Sequence, residues 1–327
     1  MRLTIRHLDL LIVCLAALVA GAAPALGAPS EVTIGAYIND IQGINLGNNT
    51  HVEDFYVWYR WKEKDQDPSK GIEYMNPASA VDHSNAKQYD PPIAQPNGEW
   101  YTVFHHQGAF SSKFPLQNYP FDHQILTIEI EDAQLGADQR VFVPDKIPVK
   151  LDAAIHLPGY EIGEPGLTVR PNTYPMNFGD MSATGATTYS RATITIPVRR
   201  PWVAGVLKVL LPIGLILISA ILGLAVRPDH VEARIGLGIT SLLTMVALQF
   251  TSAANLPEVS YLMLIDKVYI ASYMVIIAVL GIIVRDSWAV DTRGVASVAK
   301  WNRRAVVLLV SAYLIYIVFN VARAIAA

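Results

Sequence analysis

Three groups of residues could support chemistry: His105-His106, the carboxylates Glu129, Glu131 and Asp132, and the pair Gly236-x-Gly238. Two histidines would suit a metal ion, but neighbouring residues of a strand point to opposite faces. One buried and one exposed histidine is therefore expected. The carboxylates would suit a hydrolase or a calcium site, yet no nucleophile, base or orienting partner accompanies them at a recognisable spacing. They read as a solvated strand end, with a divalent-cation regulatory site left open and the metal unknown. The glycine pair lies inside an apolar run and opens no strand-to-helix turn, so it is not a phosphate loop. The sequence points away from an enzyme, and no cofactor is implied.

The elements that must position such residues fall into two kinds. The 327-residue chain is 52% hydrophobic and only 16% charged, with a net charge of -3. Soluble domains carry about 25% charged residues. The deficit points to a membrane protein and gives no hint of nucleic acid, and the length suits about two domains. Arg2, Arg6 and His7 precede the apolar run Leu8 to Val19 and the small-residue segment Ala22–Ala28, which reads as a secretory signal cleaved between Ala25 and Ala28. A fifth membrane helix is the competing reading, for which the run is short. Cys14, the single cysteine, falls inside this segment, so an exported chain would carry no disulfide.

From Ser30 to Arg200 the pattern has a period of two. Val32, Ile34, Ala36 and Ile38 alternate with polar or small residues, as do Leu126, Ile128 and Ile130, and Ala192, Ile194, Ile196 and Val198. Turn clusters such as Pro91-Pro92 and Pro158-Gly159 separate these runs, which predicts a β-sandwich. After Pro201 come four apolar runs, Trp202–Val226, Ile235–Leu256, Tyr261–Val284 and Ala305–Ala322, each of roughly 18 to 25 residues and able to span a bilayer. With an exported N-terminus, the inner connections hold Arg227, Arg234, Arg285, Arg293, Lys300, Arg303 and Arg304, and the outer loop Pro257–Ser260 has no Lys or Arg. The expected fold is a β + α membrane protein: signal 1–28, an N-terminal extracellular β-sandwich 29–200, and a four-helix transmembrane bundle 201–327. Lys208, Asp266 and Lys267 lie near the outer ends of their spans, as interfacial anchors or as parts of a coupling mechanism.

The second span differs from its neighbours. Stepping by three or four from Gly236 visits Thr240, Leu243, Ala247, Phe250 and Ala254, all on one helical face. Such a face suits a water-filled pore, and small and hydroxylated residues equally suit helix–helix packing. Composition leaves both open.

Two further features bear on that choice: Tyr119-Pro120-Phe121-Asp122, within Phe114–Gln124, and Arg199-Arg200-Pro201 at the junction, with Pro212 in the first span. Together with Asn255-Leu256-Pro257, they resemble the pentameric ligand-gated ion channels, the family of the Cys-loop receptors and their bacterial relatives. Ser112 and Leu126 stand where the animal receptors place two loop cysteines, so the chain resembles the cysteine-free bacterial branch.

The resemblance implies a homopentamer in the bacterial inner membrane, with periplasmic sandwiches, lipid around the bundle and second helices lining a pore for monovalent cations. Its register places Glu232 at the inner mouth, then Gly236, Thr240, the gate residue Leu243, Ala247, Phe250 and Ala254. A carboxylate ring favours cations; Arg234, two residues on, pulls the other way. Tyr119, Pro120, Phe121, Asp122, Arg200 and Pro257 would form the coupling layer, and Gly43–Thr50 offers it no acidic third partner. Tyr56, Glu131 and Tyr189 would belong to an inter-subunit ligand site, although Ala133 and the stretch Tyr74–Tyr89 lack that site's usual aromatics. The agonist would be a small molecule or a proton. A non-conducting membrane-anchored sensor is the other reading. Only Arg285–Arg304 separates the last two spans, leaving little room for a cytoplasmic output domain and favouring conduction.

Overall fold

A computed structural model of the chain describes residues 28–79, 83–179, 181 and 185–326. The expected signal, apart from Ala28, and Cys14 lie outside the described residues. Eleven strands come first among those described: β1 (Ser30–Asn45), β2 (Thr50–Trp61), β3 (Ile72–Tyr74), β4 (Ser84–Lys87), β5 (Ile93–Ala94), β6 (Trp100–Ser111), β7 (His123–Asp132), β8 (Arg140–Leu151), β9 (Glu161–Ile162), β10 (Gly166–Tyr174) and β11 (Thr187–Arg199). They form two layers. One sheet runs β4-β6-β2-β1-β8 with β5 beside β6, and the other runs β10-β11-β7-β3 with β9 beside β11. β1 is antiparallel to β2 and parallel to β8.

Alternation selects the inward faces. In β2, His51, Glu53, Phe55, Val57, Tyr59 and Trp61 are buried while their neighbours are half-exposed. Leu126, Ile128 and Ile130 of β7 meet Ala192, Ile194, Ile196 and Val198 of β11 in the same core. Each such side chain, fully buried, contributes about 1.5–3 kcal/mol.

Four helices follow: α1 (Trp202–Ala225), α2 (Val231–Ala253), α3 (Leu264–Arg293) and α4 (Val295–Ala326), each long and apolar enough to cross a membrane. Residues Val206–Leu210 of α1 form a π turn just before Pro212. The helices do not end where the apolar runs end. α2 starts at Val231, four residues before the expected Ile235, and stops at Ala253. The expected connection Arg285–Arg304 is helical except for Gly294, whose φ of 73° lets α3 stop and α4 begin at the next residue. Backbone hydrogen bonding continues through charged residues, since lysine and arginine are good helix formers, so hydropathy marks the lipid-facing part of a helix and not its ends. Lys208 is exposed in the π turn, and Asp266 accepts the backbone N–H of Met263 at 2.9 Å, capping α3.

The carboxylates at the end of β7 correct the expectation of a solvated strand end. Glu131 is 2% and Asp132 3% exposed. Arg140 of β8 ion-pairs with Asp132, whose other oxygen accepts the N–H groups of Gln134 (2.8 Å) and Leu135 (3.1 Å). Arg140 also donates to Gln66 O at 2.9 Å. Removing one partner of a buried ion pair strands the other charge, at a cost of about 3–5 kcal/mol. Asp132→Ala is accordingly expected to lower sandwich stability by that order. Denaturant titration of the purified protein checks it; a loss under about 1 kcal/mol, the scale of a surface pair, would rule it out.

Candidate functional site

α2 presents two unlike faces. Arg234, Gly238, Ser241 and Met245 are buried against the rest of the bundle. Gly238 sits so close to the Leu280 side chain that an added Cβ would collide with it. Ser252 and Gln249 of α2 are held by tyrosines of α3: Tyr269 donates to Ser252 at 2.9 Å, and Tyr273 donates to Gln249 at 2.6 Å. The other face is bare. Glu232, Gly236, Thr240, Leu243, Ala247, Phe250 and Ala254 are all exposed, Leu243 at 65% and Phe250 at 75%. Ala254 is the residue that ends the helix. The stripe read from periodicity is thus not the packing face of this subunit, whose small residues lie elsewhere on the same helix.

The end of α2 beyond Ala254 lies beneath the sandwich. Asp122, 2% exposed, accepts Arg200 Nε on Oδ1 at 3.1 Å and Gln124 Nε2 on Oδ2 at 2.5 Å. Gln124 also donates to Pro115 O at 2.9 Å, closing the loop 114–124 on itself. The Arg200 guanidinium donates to the Tyr160 hydroxyl and lies over the rings of Tyr160 (4.5 Å) and Tyr119 (5.3 Å). Burial pushes the Tyr160 phenol up to about 12, partly offset by the nearby Arg200 charge. Tyr160 is the partner that sequence reasoning missed: it stands in for an acidic third residue, and it lies in β8–β9 connecting chain that has no motif of its own.

The same loop grips the bundle. Phe121, 3% exposed, packs on Gly205 of α1, where a Cβ would sit 2.9 Å from its ring. Tyr261 accepts Leu116 N–H at 3.0 Å and Gln117 O accepts Leu264 N–H at 2.9 Å, tying the loop to the α2–α3 linker that contains half-buried Pro257. A cleft of about 580 Å³ opens here, lined by Asn45, Asn48, Tyr119, Tyr160, Arg200 and Asn255. The structure therefore brings Tyr119, Pro120, Phe121, Asp122 and Arg200 together, with the linker beside them.

Tyr56 stands on a different sheet from Tyr189 and Glu131, which both contact Tyr174. Tyr56 faces outward from the β2 sheet and stacks on His105 at 4.4 Å, and His105 bonds Asp54 at 2.7 Å. Tyr189 faces outward from the other layer, edge-on to Tyr174 at 5.9 Å. Glu131 accepts Arg191 Nε at 2.6 Å and the Tyr174 hydroxyl at 3.1 Å, while Arg191 Nη1 reaches Glu129 at 2.6 Å. Its carboxylate already has two partners. Among the described residues no group of three metal-ligating side chains is present.

Residues 209–314 match the family model described as "Neurotransmitter-gated ion-channel transmembrane region". The matched segment, which runs from α1 into α4, is similar to the membrane region of such channels. That family is one of channels and not of enzymes. The chain is 28% identical over 167 residues to "Gamma-aminobutyric acid receptor subunit beta" of Lymnaea stagnalis, covering 50% of this chain and 32% of that protein. The subunit of the same name from Caenorhabditis elegans is 25% identical over 173 residues, 53% and 30% of the two chains. "Gamma-aminobutyric acid receptor subunit beta-4" of Gallus gallus is 28% identical over 154 residues, 46% and 29%. The chain spans about a third of the length of these relatives.

The sandwich also buries a histidine. His106 is 2% exposed, its partner His105 half-exposed, as strand alternation requires. His106 Nε2 lies 2.9 Å from His83 Nδ1, with Tyr74 and Phe110 around it. Burial, and then the neighbouring His83 and His105, lower its pKa from 6.5 to about 4. A histidine held neutral in the fold stabilises above its unfolded pKa, and that contribution is lost as pH falls from about 6.5 to about 4. His106→Gln should therefore flatten the acid-induced loss of sandwich stability, by up to about 3 kcal/mol. Thermal unfolding across this pH range checks it, and an unchanged pH profile would refute it.

Proposed function

We propose that the chain is a subunit of a homopentameric ligand-gated ion channel that prefers cations, with 29–200 as its ligand-binding domain and 201–327 as its pore. The observation that carries this is the bare stripe of α2, from Glu232 to Ala254, within the segment similar to neurotransmitter-gated channels. Threonine, glycine and a carboxylate facing lipid would be unfavourable, and a ring of subunits turns that face toward water. Leu243 forms the dry constriction, where apolar side chains offer a narrow water column no hydrogen bonds. Glu232 sets the charge of the mouth; its exposure, against the full burial of Arg234, supports the preference for cations. The absence of cysteine at Ser112 and Leu126 supports the bacterial branch, in an inner membrane with the sandwich outside.

The Asp122–Arg200 pair transmits motion of the sandwich to α1 and to the α2–α3 linker. Tyr56 of one subunit and Tyr189 of the next flank the agonist site, with the Glu131–Arg191 pair bracing it. The agonist is a small molecule or a proton; the relatives' names make γ-aminobutyric acid the first compound to apply, alongside a pH series.

Native mass spectrometry in detergent should show a pentamer, and planar-bilayer recording should show current. In Leu243→Ser the hydroxyl supplies the missing hydrogen bonds in every subunit, so resting current or agonist sensitivity should rise about tenfold or more. Unchanged gating would displace Leu243 from the constriction. Glu232→Gln should leave gating alone and reduce the preference for cations, read as a shift of reversal potential in a salt gradient. Asp122→Asn should impair activation while assembly persists. Normal agonist responses in that variant would remove the coupling role.

A further inference from the structure

At the end of the bundle far from the sandwich, four helices converge on one buried polar cluster. Arg234 of α2 and Asp286 of α3 are both fully buried, and Asn302 of α4 is 2% exposed. Arg234 Nη2 donates to Asp286 Oδ2 at 2.8 Å, and Asn302 Nδ2 donates to the same oxygen at 2.7 Å. Arg234 Nε donates to Gly223 O of α1 at 2.9 Å. The approach is close: a Cβ on Gly223 would lie 3.3 Å from the Arg234 carbonyl oxygen. Beside the cluster, the Arg285 guanidinium is held over the Trp301 ring at 3.4 Å, 4.0 Å from Asp286 Oδ1.

Glu232 and Arg234 are two residues apart, about 200° around the helix, so the two side chains leave α2 in nearly opposite directions. Only the carboxylate is exposed. A guanidinium stays buried in a membrane bundle only when an opposite charge and carbonyl groups receive it. Without Asp286 its cheapest route is outward to water, and its long stem starts about half a helical turn, ~3 Å along the axis, from Glu232 at the mouth. Five such guanidinium groups beside five carboxylates would cancel the field that selects cations.

We propose that Asp286, supported by Asn302 and Gly223, is a positioning residue for ion selectivity: it draws Arg234 into the bundle and leaves Glu232 as the charge that permeating ions meet. This rests on the channel reading and on Glu232 standing at the mouth.

The test compares the wild-type protein, Asp286→Asn, and the double variant Asp286→Asn with Arg234→Gln, each recorded in a salt gradient. Asp286→Asn should lower the cation-to-anion permeability ratio about tenfold, the scale of one charge cancelled at close range in a partly wet mouth. The double variant should restore the ratio, since it removes the stranded cation; general damage to the bundle would not be repaired by a second substitution. A wild-type ratio in a well-assembled Asp286→Asn, or a double variant no better than the single, overturns the proposal. Assembly gives a second readout by size exclusion in detergent. If Asp286→Asn alone fails to form the oligomer, rescue by Arg234→Gln supports the dependence of Arg234 on Asp286, and failure of rescue refutes it. A wild-type chain that assembles without conducting would instead remove the channel reading, and the assembly comparison would still decide whether Arg234 needs Asp286.

Discussion

Asp122 and Arg200 join two parts of the molecule that are held together by different physics. The sandwich is stabilised by withdrawing alternate side chains of each strand from water. The bundle needs helices because backbone groups in lipid must be satisfied internally. The two cores meet in the layer between them, where Phe121 packs on Gly205, and the polar groups of that layer must be paired as well. A carboxylate as buried as Asp122 is tolerable because Arg200 and Gln124 both bond it. Since Arg200 is followed at once by Pro201 and α1, and Asp122 lies on the loop that holds the α2–α3 linker, one ion pair sets where the bundle begins and where α2 ends relative to the strands. The aromatic rings of Tyr119 and Tyr160 around Arg200 keep the charge in place while part of it remains wet.

The bundle shows a second division, in which one helix packs on its neighbours with one face and leaves the other exposed. α2 separates the two by residue size and by partner. Gly238 allows close approach to α3, Gln249 and Ser252 receive hydroxyl groups from Tyr273 and Tyr269, and Met245 fills the seam. What remains outside is a stripe that runs from a carboxylate through glycine and threonine to leucine and phenylalanine. Arg234 would spoil that gradient if it faced the same way, and its burial on the opposite side keeps the stripe graded from polar to apolar.

A related economy appears in the outer layers of the sandwich. Arg140 and Arg191 each bind the carboxylates at the end of β7, from β8 and β11 respectively, so that stretch is rigid on both sides. Tyr174 bonds Glu131 there and meets Tyr189 edge-on, while Tyr56 and His105 stack on the outer face of the other layer.

Features that depend on residues near one another in the chain were legible in the order of amino acids alone. Period-two runs in β1, β7 and β11, four apolar spans, the alternation of His105 and His106 and the stripe on α2 all follow from local geometry, because strand and helix repeat every 2 and 3.6 residues whatever surrounds them. The nearness of Asp122 to Arg200 was legible through a motif and a junction. Other features depend on partners that arrive from afar. The burial of Glu131 required Arg191, 60 residues away, and that of Arg234 required Asp286, 52 residues away. Neither arginine announces its partner locally, so the carboxylates read as solvated and Arg234 as a rival of Glu232. The extension of α3 and α4 through Arg285–Arg304 has a local cause: a charged residue ends an apolar run in the sequence but not a helix, because lysine and arginine are good helix formers and their side chains can reach water.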